Sequence, residues 1–390
     1  MILDVRNDYP ALAEGFVHLD GAGGTQPAAP VIAAIAGAMG TAVSNRGTAH
    51  VPAQRSGALV AAARSAVADL VGGDPDGVVF GPSATALTYL VSRALALTPD
   101  DEVVVSRLDH DSNVRPWVQT GATVRWADVD LTTGALPVAQ YASIIGPRTR
   151  VVAVTAASNA IGTVPDVRAI ADLAHAVGAL VYVDGVHYTA HRPVDVAALG
   201  ADFYVTSAYK WSGPHYAALI ASPTVLEPLH PPKLIPSPAG VPDRFEYGTL
   251  SFELLAGITA AVDYLATLSP VEGDRCTRLL AGMAAAAAHE DRLLDQLLKG
   301  LAALGTVTVL PAPAGSCPTV SFRVTGQSPA ETAQLLGAQG ICVSHGDYYA
   351  AEFFEAAGLR TTGGAVRASL YHYNTEADVT RLLEALDRNV

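Results

Sequence analysis

The stretch A-D-F-Y-V-T-S-A-Y-K-W-S-G-P-H, residues 201–215, decides how this chain is read. Phe203 to Thr206 is a run of aromatic and β-branched residues, the composition of a buried strand. A short turn follows, and then Lys210 beside Trp211 and a Gly-Pro pair. The chain has three lysines, Lys210, Lys233 and Lys299. Lys233 falls in a proline-rich stretch. Lys299 precedes Gly300 at what reads as the end of a surface helix, where glycine is favoured. Lys210 alone follows a core strand, where burial would lower its pKa and free a nucleophilic amine. A lysine at a strand end can equally run its stem along apolar surface and leave its charge in water, so the neighbouring sequence has to arbitrate.

Upstream, L-V-Y-V-D-G-V-H (180–187) reads as a second buried strand, ending in Asp184. Taken alone, Asp184 is equally a helix N-cap. An acid closing one strand and a lysine closing the next, 26 residues on (184 to 210), is a rarer pairing. It suits pyridoxal phosphate (PLP): a lysine holds the cofactor's aldehyde, and an acid keeps the ring nitrogen protonated so that the ring draws electrons.

The alternation around these strands predicts the fold. Apolar strands are expected at Val78–Phe80, Glu102–Ser106, Thr123–Trp126, Arg150–Thr155, Leu180–Asp184, Phe203–Thr206 and Ala217–Ala221, mostly separated by helices such as Thr85–Ala96 and Val167–Val177. Further helices are expected from Pro27 or Pro30 and over Gly57–Val71. Such a pattern implies an α/β fold with a seven-stranded, mainly parallel sheet covered on both faces. The proline-dense run from Leu226 to Pro242 cannot continue a sheet. Beyond it, helices and short strands indicate a smaller C-terminal α+β domain. The expected boundaries are an arm over 1–15, a large domain over 16–252 and a small domain over 253–390.

Composition narrows the function. The 390 residues are 50% hydrophobic and 16% charged, enough for a large core. A formal net charge of −13 argues against nucleic acid and anionic membranes as partners. No apolar stretch reads as a membrane span, and M-I-L-D-V-R-N-D-Y-P does not read as a signal peptide. Cys276, Cys317 and Cys342 show neither metal-ligand spacing nor a disulfide framework, so a reducing cytoplasm is expected.

In open α/β sheets, ligands bind beyond the carboxyl ends of the strands. Ser83, Ala84 and Thr85 follow the first sheet strand and open a helix, a ready anion site. His110 follows the second strand, Asn159 the fourth, Asp184 and His187 the fifth, Ser207 and Lys210 the sixth. Singly, each has an ordinary reading as a helix cap or loop anchor; together they mark one edge of one sheet. No G-x-G-x-x-G follows the first strand, so a dinucleotide fold has no support.

The segments D-H-D-S-N-V-R-P-W, A-S-N-A-I-G-T, V-D-G-V-H and S-A-Y-K-W-S-G-P-H resemble the class V aminotransferase family of fold type I PLP enzymes. The resemblance runs from H-L-D-G-A-G-G-T-Q to V-R-A-S-L-Y-H-Y-N-T and is nearest to the cysteine desulfurase and selenocysteine lyase branch, in its cysteine desulfurase-like group. It implies Lys210 as the Schiff-base lysine, Asp184 as partner of the ring nitrogen and His110 stacked on the ring. It places Asn159 and His187 at the ring hydroxyl, although desulfurases usually carry glutamine where His187 stands. Ser83, Ala84, Thr85, Ser207 and Tyr209, the last in place of a family histidine, would hold the phosphate. Thr249 would reach the phosphate of a neighbouring subunit, implying a homodimer, and Arg367 would grip the substrate carboxylate as a bidentate clamp. Tyr349 stands where true desulfurases carry the cysteine that accepts sulfur. With Tyr348, His345, Arg46 and His50 it is a candidate for lining the substrate side.

The expected reaction is C–S cleavage of a sulfur amino acid without a protein persulfide. Transamination or epimerisation by the same front half of the reaction is the alternative, and a non-catalytic scaffold with this fold is a third reading.

Overall fold

The computed structural model describes residues 3–388. Thirteen strands can be followed in chain order among them: β1 (Val17–His18), β2 (Val78–Gly81), β3 (Glu102–Ser106), β4 (Thr123–Ala127), β5 (Thr149–Thr155), β6 (Leu180–Asp184), β7 (Phe203–Ser207), β8 (Ala217–Ile220), β9 (Val307–Val309), β10 (Thr319–Val324), β11 (Ile341–Cys342), β12 (Ser344–Gly346) and β13 (Ala365–Ser369). Seven of them form one sheet in the order β2-β8-β7-β6-β5-β3-β4. Only β8 runs antiparallel to its neighbours there. Every residue of β3, β7 and β8 is buried, as continuous apolar strands covered on both faces must be.

The strand order fixes where a ligand can sit. After β4 the chain crosses to the other side of β3 to lay down β5. That reversal opens a crevice at the carboxyl ends of β3 and β5. A second sheet, β12-β13-β10-β9, is antiparallel. Its core gathers Phe322, Val366 and Leu382 with Val17 and Leu19 from the start of the chain, because β1 pairs in parallel with β11.

The first two residues of the expected N-terminal arm lie outside the described residues. The rest is anchored by buried Leu3, Tyr9 and Leu12: Tyr9 is 1% exposed, with its hydroxyl 2.6 Å from His372 Nε2 and 2.9 Å from Ser212 Oγ. The role of one glycine, in a helix expected over Arg278–Leu304, and the start of one earlier helix differ from the sequence expectation. The helix containing Lys299 runs over Arg275–Ala303, so Gly300 is interior. A Cβ there would meet Leu383 at 2.1 Å, so this glycine serves close helix packing, not a C-terminal cap. The helix expected over Gly57–Val71 begins at Val51, because Pro52 is tolerated in a first turn and His50 caps it, its Nδ1 accepting from the Ala53 N–H at 3.3 Å. No helix among the described residues is long and apolar enough to cross a membrane.

Candidate active site

The crevice at the switch point is lined by residues from five strand ends, among them Ser83, Ala84, Thr85, His110, Asn159, Asp184, His187, Ser207, Tyr209 and Lys210. Lys210 closes a short turn after β7 and is buried. Its amine donates to the Ala22 carbonyl and lies 5.2 Å from the Tyr209 ring centroid. Burial, reinforced by the Arg367 charge and opposed by Asp184, lowers its pKa to about 7.

Asp184 ends β6, one strand away. One carboxylate oxygen accepts the Val186 N–H at 2.9 Å. Burial raises its pKa to about 6, with the Val186 bond and Lys210 pulling the other way. Gly185 is the only residue that fits next to it, since a Cβ would lie 1.9 Å from the Tyr204 ring.

His110 opens the turn Asp111–Asn113, its Nδ1 accepting the Ser112 N–H at 3.0 Å. That bond leaves the ring proton on Nε2. Burial, with Lys210 and Arg367 nearby, lowers its pKa to about 4, so the ring is neutral. Asn159 donates to the Tyr348 carbonyl at 2.9 Å, and His187 Nε2 lies 3.0 Å from Thr319 Oγ1. Asn159 Oδ1 and His187 Nδ1 are buried without hydrogen-bond partners. Each such atom costs roughly 1–3 kcal/mol unless a ligand meets it. Ser83 caps the helix Ala84–Ala94, its Oγ accepting the Ala86 N–H at 3.1 Å, which leaves the other first-turn N–H groups facing the crevice.

Arg367 lies on β13, 3% exposed. It donates through Nη1 to the Asn159 carbonyl at 2.8 Å and through Nη2 to Ser344 Oγ at 3.3 Å, and lies 4.4 Å from the Tyr348 ring centroid. Burial lowers its pKa to about 10. Tyr348 and Tyr349 both hold positive φ, 48° and 60°, a conformation that costs about 1–3 kcal/mol per residue. The Tyr349 carbonyl accepts the Asp111 N–H at 2.7 Å, and its ring stacks on His110 at 5.4 Å.

Not every expected residue comes to the crevice. Thr249 is exposed, with Oγ1 3.5 Å from Asn45 Oδ1. Arg46 pairs with Asp243 at 2.8 Å, and His50 is a helix cap. His345 is exposed on β12. Two participants went unseen in the sequence. The Ala22 carbonyl reaches Lys210 across 188 residues, a contact without a local signal. Asp109, next to His110 in the chain, is fully buried and accepts from Ser106 Oγ and, at 2.7 Å, from Asn113 Nδ2, with burial raising its pKa well above the usual carboxylate value. Its place beside His110 in D-H-D was the available signal.

A buried amine near neutrality, a buried acid, two unpartnered polar atoms and a helix N-terminus around one crevice fit PLP's aldehyde, ring nitrogen, hydroxyl and phosphate.

A family model described as aminotransferase class-V matches residues 17–382. The chain is 37% identical to an uncharacterized protein of Mycobacterium tuberculosis, over 98% of this chain and 97% of that one. It is 34% identical to a probable cysteine desulfurase of Pseudomonas aeruginosa, over 99% and 97%. Among solved structures it superposes on the cysteine desulfurase CsdA of Escherichia coli with a TM-score of 0.86 and 27% identity, covering 98% of this chain and 96% of that one.

Proposed function

The chain belongs to the class V aminotransferase family of PLP-dependent enzymes, and from that premise we propose that it is a C–S lyase acting on a sulfur amino acid without a protein persulfide. One observation carries this reading: Lys210, Asp184 and His110 line one crevice, and no cysteine is among its lining residues. Tyr349 takes the place expected for a sulfur-accepting thiol.

When bound, PLP supplies an electron-withdrawing ring that stabilises negative charge at the substrate Cα. Asp184, charged above about pH 6, would keep a proton on the ring nitrogen. Neutral His110 would cover the ring, and Asn159 Oδ1 and His187 Nδ1, which have no partners of their own, would meet its hydroxyl. Ser83, Ala84, Thr85, Ser207 and Tyr209, which line the crevice, would hold the phosphate. Arg367 grips the substrate carboxylate. Lys210 Nζ, with its pKa near 7, takes the Cα proton as a general base at neutral pH. The electron pair left at Cα would form the Cα=Cβ bond as the Cβ–S bond breaks, and the departing thiolate would take the proton that Lys210 carries.

The reading includes a homodimer in the cytoplasm. Thr249, Arg46 and His50 lie apart from their own crevice, and the exposed Leu234, Ile235 and Tyr247 offer apolar surface for a second copy. The same lysine and acid serve transamination, the alternative within the family.

A panel of amino acids, assayed with the holoenzyme for sulfide, pyruvate and keto acids, separates these readings. Sulfide or thiol release without added keto acid is expected. Strict dependence on an added keto acid would replace the lyase by transamination. A cofactor spectrum that no amino acid perturbs would favour the scaffold.

A further inference from the structure

A second group of ligating side chains lies outside the crevice, on the ladder between β1 and β11. His18 and Cys342 are register partners there, so their side chains share a face. Asp20 lies two residues beyond His18, where the extended chain bridges Ser369, and the period of two returns it to that face. One potential ligand atom from each of the three lies within 4.8 Å of the other two. His18 Nδ1 and Asp20 Oδ1 are 3.3 Å apart. A tetrahedral ion with bonds of about 2.1 Å needs ligand atoms roughly 3.4 Å apart. His18 Nδ1 also faces Gln26 Nε2 at 3.4 Å, so the imidazole is held by two long contacts and no short one. Cys342 is a free thiol, and all three residues are half-buried.

We propose that His18, Asp20 and Cys342 form a site for one thiophilic divalent cation of the zinc type. A nitrogen, an oxygen and a sulfur donor suit zinc, whereas magnesium and calcium take oxygen sets. Three protein ligands leave the fourth position of the tetrahedron to water. Binding requires the thiolate, so the Cys342 proton passes to solvent while His18 coordinates as the neutral imidazole through Nδ1. The ion would fasten the start of the chain to β11. Local spacing cannot reveal such a site, because His18 and Cys342 are 324 positions apart (342 − 18) and meet only through parallel pairing.

The test uses chelator-washed holoenzyme, with and without one equivalent of zinc. Alkylation by iodoacetamide is followed by peptide mass for Cys342 and for exposed Cys276. Zinc is expected to slow Cys342 alkylation at least about tenfold and to leave Cys276 unchanged. In competition with a chromophoric chelator, His18→Ala and Asp20→Asn should each weaken zinc binding at least about tenfold. Unprotected Cys342, equal protection of Cys276, or wild-type affinity in both variants would overturn the site. The wild-type alkylation result stands even where a variant fails to fold.

Discussion

Lys210 donates its hydrogen bond to the backbone carbonyl of Ala22, 188 residues earlier. The glycine-rich loop D-G-A-G-G thereby closes over the lysine, and a Cβ on Gly23 would sit 3.8 Å from Arg367 Nη2. One loop therefore lies against both cations of the site, in a place too confined to hydrate them. That confinement explains why burial is the largest influence on both and pulls both pKa values down.

The depressed Lys210 pKa sets a pH dependence for capture of PLP by cofactor-free protein. Only the neutral amine attacks an aldehyde. Its fraction rises with pH up to about 7 and is then level. The capture rate, followed by absorbance, should climb about tenfold per pH unit below that point. A rate still rising tenfold per unit between pH 8 and 9 would show an ordinary, solvated lysine.

Arg367→Lys keeps the charge and loses the fork that bonds Asn159 and Ser344. Hydrogen bonds to charged groups contribute about 1.5–3 kcal/mol. The KM for the amino acid should rise roughly 10- to 100-fold, with a smaller change in kcat. Steady-state kinetics with an unchanged KM would remove Arg367 from the carboxylate clamp.

Turnover should not need a thiol of the protein. The variant Cys276→Ser with Cys342→Ser leaves only Cys317, which is fully buried, its thiol pushed up to about 12. Sulfide production should fall less than about twofold, because neither Cys276 nor Cys342 is among the residues lining the crevice. A loss beyond tenfold would point to sulfur passing through one of the two.

Gly185→Ala tests the packing behind Asp184. Its Cβ would overlap the Tyr204 ring, and overpacking of a core costs about 1–3 kcal/mol. For 390 residues the Tm should drop by roughly 1–4 °C. An unchanged melting curve would mean that the β6–β7 pair opens easily at that point.

What the sequence revealed and what it hid divide on physical lines. Asp184, Lys210, Ser83, His110 and Asn159 were legible because a parallel sheet collects the residues that follow its strands at one edge. Their shared crevice followed from alternation alone. The Ala22 carbonyl, the hold of Arg367 on Asn159 and the His18–Cys342 pairing are contacts between distant segments, which periodicity cannot encode. Gly300 was misread because a glycine that admits Leu383 looks, in sequence, like one that ends a helix. The helix over Val51–Val71 was expected only from Gly57, because histidine is an uncommon cap and gives little signal of a helix start.

The central claim is that Lys210 is the residue that holds PLP. Borohydride reduction of the holoenzyme, followed by peptide mapping, tests it directly, since the chain offers only Lys210, Lys233 and Lys299. The expected result is the cofactor's mass on the peptide carrying Lys210 and on neither of the others. Label on Lys233 or Lys299, or on no lysine, would contradict the account.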